Sequence, residues 1–144
     1  MKDTNNQVDY NTWSGSDYDE NLSNIPSMNN ANIISSKDWS SNGESSIKCV
    51  RTHNTAQNVT RLGNLTLTVG ATVTATLTVY SPNNTVGVTL YDGAVLAQTS
   101  VPQSNTAQTV TLSGVLTATN VDVRLSLPGN GGFVFVDNVI IASS

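Results

Sequence analysis

Few residues of this chain could do covalent or metal chemistry. It has one cysteine, Cys49, and one histidine, His53. One cysteine forbids an intrachain disulfide, and a lone His and Cys cannot build a zinc site within one chain. Cys49 lies in the apolar run Ile47-Lys48-Cys49-Val50, where a thiol serves as a small buried hydrophobe. A serine triad would need His53, and no nucleophile-elbow pattern accompanies it. It reads as a polar residue at a strand end. Hydrolysis by paired carboxylates needs two acids held roughly 5–10 Å apart in a cleft. Asp92 falls in a turn, Asp122 on a strand face and Asp137 near the end, and nothing marks two of them as a pair. No enzyme is expected.

Recognition chemistry remains. Sugars are held by flat rings that stack on pyranose faces and by planar polar groups that bond hydroxyls. The chain has eight aromatic residues. Tyr80 and Tyr91 fall out of phase with the neighbouring Val and Leu and stand among Thr and Asn. That setting suits an open sugar groove, and it equally suits cross-strand pairing on a solvated face. Trp39 lies between polar stretches, either packed or as a binding platform. The candidate ligand-binding residues are therefore Tyr80, Tyr91 and Trp39. Trp13 and Tyr18, in the acidic opening stretch, could stack on a partner. Phe133 and Phe135 read as core. Asp122 and Arg124 share an outward face and read as a solvated pair worth little.

The elements that must position these residues are strands. In Ala71-Thr72-Val73-Thr74-Ala75-Thr76-Leu77-Thr78-Val79-Tyr80 every odd position is apolar, a pattern of half-buried strand. Ser81-Pro82-Asn83-Asn84-Thr85 and Asp92-Gly93 supply turn chemistry. Val86 to Tyr91, Thr109 to Gly114 and Val121 to Leu127 alternate in the same way. Ile47 to Thr52, Leu62 to Val69 and Val95 to Val101 also read as strands. Phe133 to Ile141 begins apolar on both faces, as a central strand would. Seven or eight short antiparallel strands and no helix predict an all-β sandwich or jelly roll. If Tyr80 and Tyr91 lie on a hairpin, the rings stand roughly 20 Å apart on one sheet. If the topology places them in opposite sheets, only one can line a groove.

Composition agrees. Asn, Ser and Thr number 18, 17 and 19 of 144 residues, and Val adds 17. Charged residues make up 11% with a net charge of -4, which argues against a helical bundle and a basic nucleic-acid binder. No apolar run approaches the roughly 20 residues of a membrane span. Residues 1–20 carry no basic-then-apolar signal peptide and read as an acidic arm or linker, partly disordered, before a domain over 21–144. Four Asn-X-Ser/Thr sequons, at Asn21, Asn58, Asn64 and Asn83, are about what this composition gives by chance.

Three segments, in order, carry a family likeness. Asn21-Leu22-Ser23-Asn24-Ile25-Pro26-Ser27-Met28 resembles the opening strand of carbohydrate-binding-module-like jelly rolls, the galactose-binding-like sandwiches. Trp39 followed by Gly43-Glu44-Ser45-Ser46-Ile47-Lys48 is similar to their second segment, and Phe133 to Ile141, with Asp137-Asn138-Val139, to their closing strand. The resemblance implies a weak structural calcium ion at Asp137 and Asn29, where Asn29 stands in place of the family's usual glutamate. Asp137 could equally be a structural residue bonding backbone amides at a strand irregularity. The resemblance further implies a non-catalytic carbohydrate-binding or adhesive module, extracellular, on a cell surface or on a virion, with a glycan or cell-surface polysaccharide as partner. The rivals are a phage or virus tail-fibre or baseplate domain and a structural spacer of a surface protein.

Overall fold

A computed structural model of the chain describes residues 8–9, 31–36, 38–39, 46–51, 57–127 and 132–143. Asn29, His53, Trp13 and Tyr18 lie outside the described residues, as does the opening segment 21–28. The strands are β1 (Val8–Asp9), β2 (Ala31–Ser36), β3 (Ser46–Arg51), β4 (Gln57–Thr66), β5 (Thr72–Tyr80), β6 (Val86–Tyr91), β7 (Val95–Val101), β8 (Gln108–Val115), β9 (Asn120–Leu127) and β10 (Phe133–Ser143). Among the described residues every regular element is a strand. All the pairings are antiparallel, and they form two sheets. The larger runs β2-β3-β10-β5-β8, with β1 on β10, and the smaller runs β4-β9-β6-β7. Val8 and Asp9, within the stretch read as an arm, pair with Ile141 and Ile140.

Period-two alternation builds the sandwich. On β5, Val73, Ala75, Leu77 and Val79 are fully buried, while Thr74, Thr76 and Thr78 face outward. On the facing sheet Val88 and Leu90 of β6 and Val123 and Leu125 of β9 are fully buried in the same core. Burying a Leu or Val side chain is worth roughly 1.5–3 kcal/mol, so this layer holds the sheets together. The outward threonines pair with β8: Thr74 bonds Ser113 at 3.0 Å. Side chains opposite each other on a ladder support one another in this way.

The stretch read as a strand over Leu62 to Val69 begins earlier and ends earlier, at Gln57–Thr66. A turn closes it, with Ala71 N–H donating to the Thr68 carbonyl and Gly70 at φ 90°. Only glycine takes that backbone without strain.

Candidate functional site

Tyr80 and Tyr91 lie in different sheets, on opposite outer faces of the sandwich. Their strands are consecutive but do not pair: β5 lies between β10 and β8, and β6 between β9 and β7. The second topology considered from the sequence is the one adopted, and a single groove across both rings is excluded.

On the larger sheet Tyr80 is the register partner of Phe135, so the two rings share the outer face. They stack with centroids 5.8 Å apart. Trp39 stacks on Tyr80 at 5.1 Å and meets Phe135 at 6.1 Å. Phe133 meets Phe135 edge-on at 5.7 Å. Phe135 is 4% exposed yet lies outside the inter-sheet core, contrary to the expectation that both phenylalanines belong to it. Val134 and Val136 take the inward positions, which leaves Phe133 and Phe135 facing out. The outer side of this strand is thus buried under Trp39 and Tyr80, which explains why the sequence is apolar on both faces.

The outer face of the smaller sheet is polar and open. A groove of about 450 Å³ is lined by Gly87, Thr89, Gln98, Thr99, Ser100 and Ser126. Gly87 faces Ser100 on one side and Ser126 on the other. A Cβ there would come within 3.3 Å of the Ser126 Cβ, so the missing side chain helps open the floor. Tyr91 is the next outward position on β6 beyond Thr89. The Arg124 guanidinium lies 3.7 Å over the centroid of the Tyr91 ring. Its Nε donates to Asp122 Oδ1 at 2.9 Å and its Nη2 to Oδ2 at 3.4 Å. Asp122 is only 5% exposed, and the Arg124 side chain 16%. The pair is therefore not the solvated one the alternation implied. The Tyr91 ring and the ion pair shield each other, and a cation over an aromatic face is attracted to it.

The Tyr91 end is fixed by its neighbour. Asp92 is 4% exposed. Its Oδ2 accepts from Thr117 N–H at 2.7 Å, the Thr117 hydroxyl at 2.9 Å and Ala118 N–H at 3.1 Å. Its Oδ1 accepts from Ala94 N–H at 3.3 Å. Burial alone would push this carboxyl up. The donors from Thr117, Ala94 and Ala118 outweigh burial and hold it below the usual carboxylate range. Gly93, at φ 103°, completes the turn. Read from the sequence as a turn signal, Asp92 in fact ties the β6–β7 turn to the chain after β8, 25 residues away.

Asp137 is fully buried on β10, where the register with β5 shifts between Asp137 and Ile140. Among the described residues no three of His, Cys, Asp and Glu come together to hold a metal ion. The sequence did not single out Gln98, Ser100 and Ser126, because an outward Ser or Gln on a strand is the commonest kind of surface.

No protein-family model and no curated protein matches the chain. Its fold is shared with solved carbohydrate-binding modules. The C-terminal family 22 carbohydrate-binding module of Clostridium thermocellum Xyn10B superposes with a TM-score of 0.69 at 15% identity, covering 99% of this chain and 96% of that one. The CBM22-2 xylan-binding domain of Paenibacillus barcinonensis Xyn10C gives 0.67 at 12% identity, covering 96% and 98%. The tailspike protein 4 enzymatically active domain of bacteriophage CBA120 gives 0.63 at 13% identity, covering 95% of this chain and 22% of that one. The fold is thus the carbohydrate-binding-module-like jelly roll that the three sequence segments imply.

Proposed function

We propose that this chain is a non-catalytic carbohydrate-binding module whose ligand lies in the groove on the outer face of β4-β9-β6-β7. The observation that carries it is the open groove of hydroxyl and amide groups ending on the Tyr91–Arg124 stack. Thr89, Gln98, Ser100 and Ser126 offer donors and acceptors to sugar hydroxyls, and the stack supplies a flat end wall. The likeness to solved carbohydrate-binding modules over nearly the whole chain supports the same reading. Tyr80 and Trp39, bound to each other and to Phe135, serve this module as packed structure. Of the acids from Ser46 onward, Asp92 is held by the turn after β8, Asp122 by Arg124 and Asp137 within β10, which leaves paired-carboxylate hydrolysis unsupported.

Calcium stays in the proposal through Asp137, fully buried on β10, on the strength of the family resemblance of the closing strand. Further oxygens would come from the opening segment that includes Asn29. The module would work outside the cell, on a surface or on a virion. A tail-fibre or baseplate role is the second reading, supported by the tailspike likeness. A trimer in solution would favour it over a monomeric module.

The test is calorimetric titration of the full chain with xylohexaose and β-1,4-galactotriose, followed by a glycan array. Tyr91→Ala should weaken binding by about 0.5–1.5 kcal/mol, roughly two- to twelvefold. Unchanged affinity in Tyr91→Ala and Gln98→Ala would remove the groove from the account, and absence of glycan binding altogether would remove the function.

A further inference from the structure

We propose that the ligand is a branched glycan, its main chain in the outer groove and a short side branch in a second cleft round the edge of β7; this rests on the glycan-binding reading above and narrows it. The cleft, of about 260 Å³, lies between residues 99–101 of β7 and 108–111 of β8. β7 ends the smaller sheet and β8 ends the larger, so the cleft is a seam between the two layers. Toward one end the strands close up: a Cβ on Gly114 would lie 2.9 Å from that of Leu96. Toward the other, the loop that joins them is tied down. Ser104 N–H donates to the Ser81 carbonyl at 3.0 Å, and Gln103 Nε2 donates to the Pro82 carbonyl at 2.9 Å.

Two polar residues line this seam from positions that a sandwich fills with apolar ones. Thr99 is the register partner of Val88, and Gln108 of Val79. Opposed residues of a ladder share a face, and both valines are fully buried in the core. Thr99 and Gln108 therefore stand on the inward side, yet Thr99 is exposed and Gln108 half-buried. Polar groups at core-facing positions weaken a sandwich unless they have a use there. Ser100, the next residue along β7, is opposite Gly87 and faces the outer groove. Thr99 and Ser100 line both spaces, so groove and cleft meet along the edge of β7. A straight chain lying on the outer face passes over β7 without reaching the β8 wall. A branch leaving it beside Ser100 rounds the edge and meets the Thr99 hydroxyl and the Gln108 amide. The cleft falls just below the roughly 300–1,000 Å³ of sites for drug-sized ligands, which suits one or two sugars.

The test uses matched ligands that differ only in a branch: xylopentaose against its arabinosyl-substituted form, mannopentaose against its galactosyl-substituted form, and cellotetraose against its xylosyl-substituted form. The full chain is titrated with each by calorimetry. In at least one pair the branched member should bind about tenfold tighter, as for one or two added hydrogen bonds. Thr99→Val, which keeps the shape of the side chain, and Gln108→Ala should each pull the branched-to-linear ratio toward one. In amide NMR spectra of the wild type, the preferred branched ligand should shift residues 108–111 and its linear partner should not. If the linear member of every pair binds as tightly as the branched one, the inference is overturned, while the linear binding itself upholds the module. A branch preference that leaves residues 108–111 unshifted, or that survives both substitutions, also overturns it. If none of the six ligands binds, the glycan reading itself has failed. The wild-type comparisons need no variant to fold.

Discussion

Asp92→Asn isolates the contact that fixes the Tyr91 end of the groove. In the wild type one carboxylate oxygen takes three donors at 2.7, 2.9 and 3.1 Å, and the other takes Ala94 N–H at 3.3 Å. Asparagine has one acceptor oxygen. If it keeps the Thr117 and Ala118 donors, its NH2 group faces the Ala94 N–H, donor against donor. If it turns over, three donors lose their acceptor. Bonds to a charged acceptor are worth about 1.5–3 kcal/mol, so the variant should lose stability of that order at pH 7. At roughly 2–4 °C per kcal/mol, the melting temperature should fall by roughly 3–12 °C. The wild-type carboxyl titrates below its ordinary value when folded. Its contribution is therefore complete above the unfolded value of about 3.9 and is lost as pH falls through the folded value. Melting curves of both proteins should accordingly draw together as pH falls below the unfolded value of about 3.9 and separate as pH rises past about 5. A difference that is the same at every pH, or none at pH 7, would show that the charge at Asp92 does not hold the two turns together.

Other substitutions separate packing from binding. Tyr80→Ala removes ring contacts to Trp39 and Phe135 and should cost about 1–3 kcal/mol of stability in denaturant melts, with glycan affinity nearly unchanged. Gly114→Ala would bring a Cβ within 2.9 Å of the Leu96 Cβ and should destabilise by about 1–3 kcal/mol, because β7 and β8 must move apart. Leu90→Ala, at a fully buried core position, should cost about 2–5 kcal/mol by thermal denaturation. EDTA should lower the melting temperature slightly, and Asp137→Ala should abolish that response; an unmutated protein indifferent to EDTA would remove calcium from the proposal.

Alternation made β5, β6 and β9 legible, because a sheet with one wet face repeats its polarity every two residues. The apolar opening of β10 likewise announced a central strand. What alternation cannot show is which strand lies beside which. Tyr80 and Tyr91 are 11 residues apart and sit on strands joined by a short turn, yet that turn carries the chain from one sheet to the other. Arg61 and Arg124 are neighbours only through the ladder between β4 and β9. Phe135 looked like core because burial beneath Trp39 leaves the same mark on a sequence as burial between sheets. The Asp92 donors are invisible for a further reason: three of the four are backbone N–H groups, which any residue other than proline supplies.

The position of β10 bears on how the chain folds during synthesis. β10, made after the nine other strands described, lies in the middle of the larger sheet, between β3 and β5. Phe133 to Val136 pair with Val50 to Ile47, and Phe135 to Ser143 with Tyr80 to Val73. Until residues 133–143 leave the ribosome, β3 and β5 have no common neighbour, and each presents a bare backbone edge to other chains. Such distant pairing also slows folding, since loops must close before their contacts form. The smaller sheet, with β4, β6, β7 and β9 all complete by Leu127, can assemble first, so the side that carries the groove should be in place before the sandwich closes behind it.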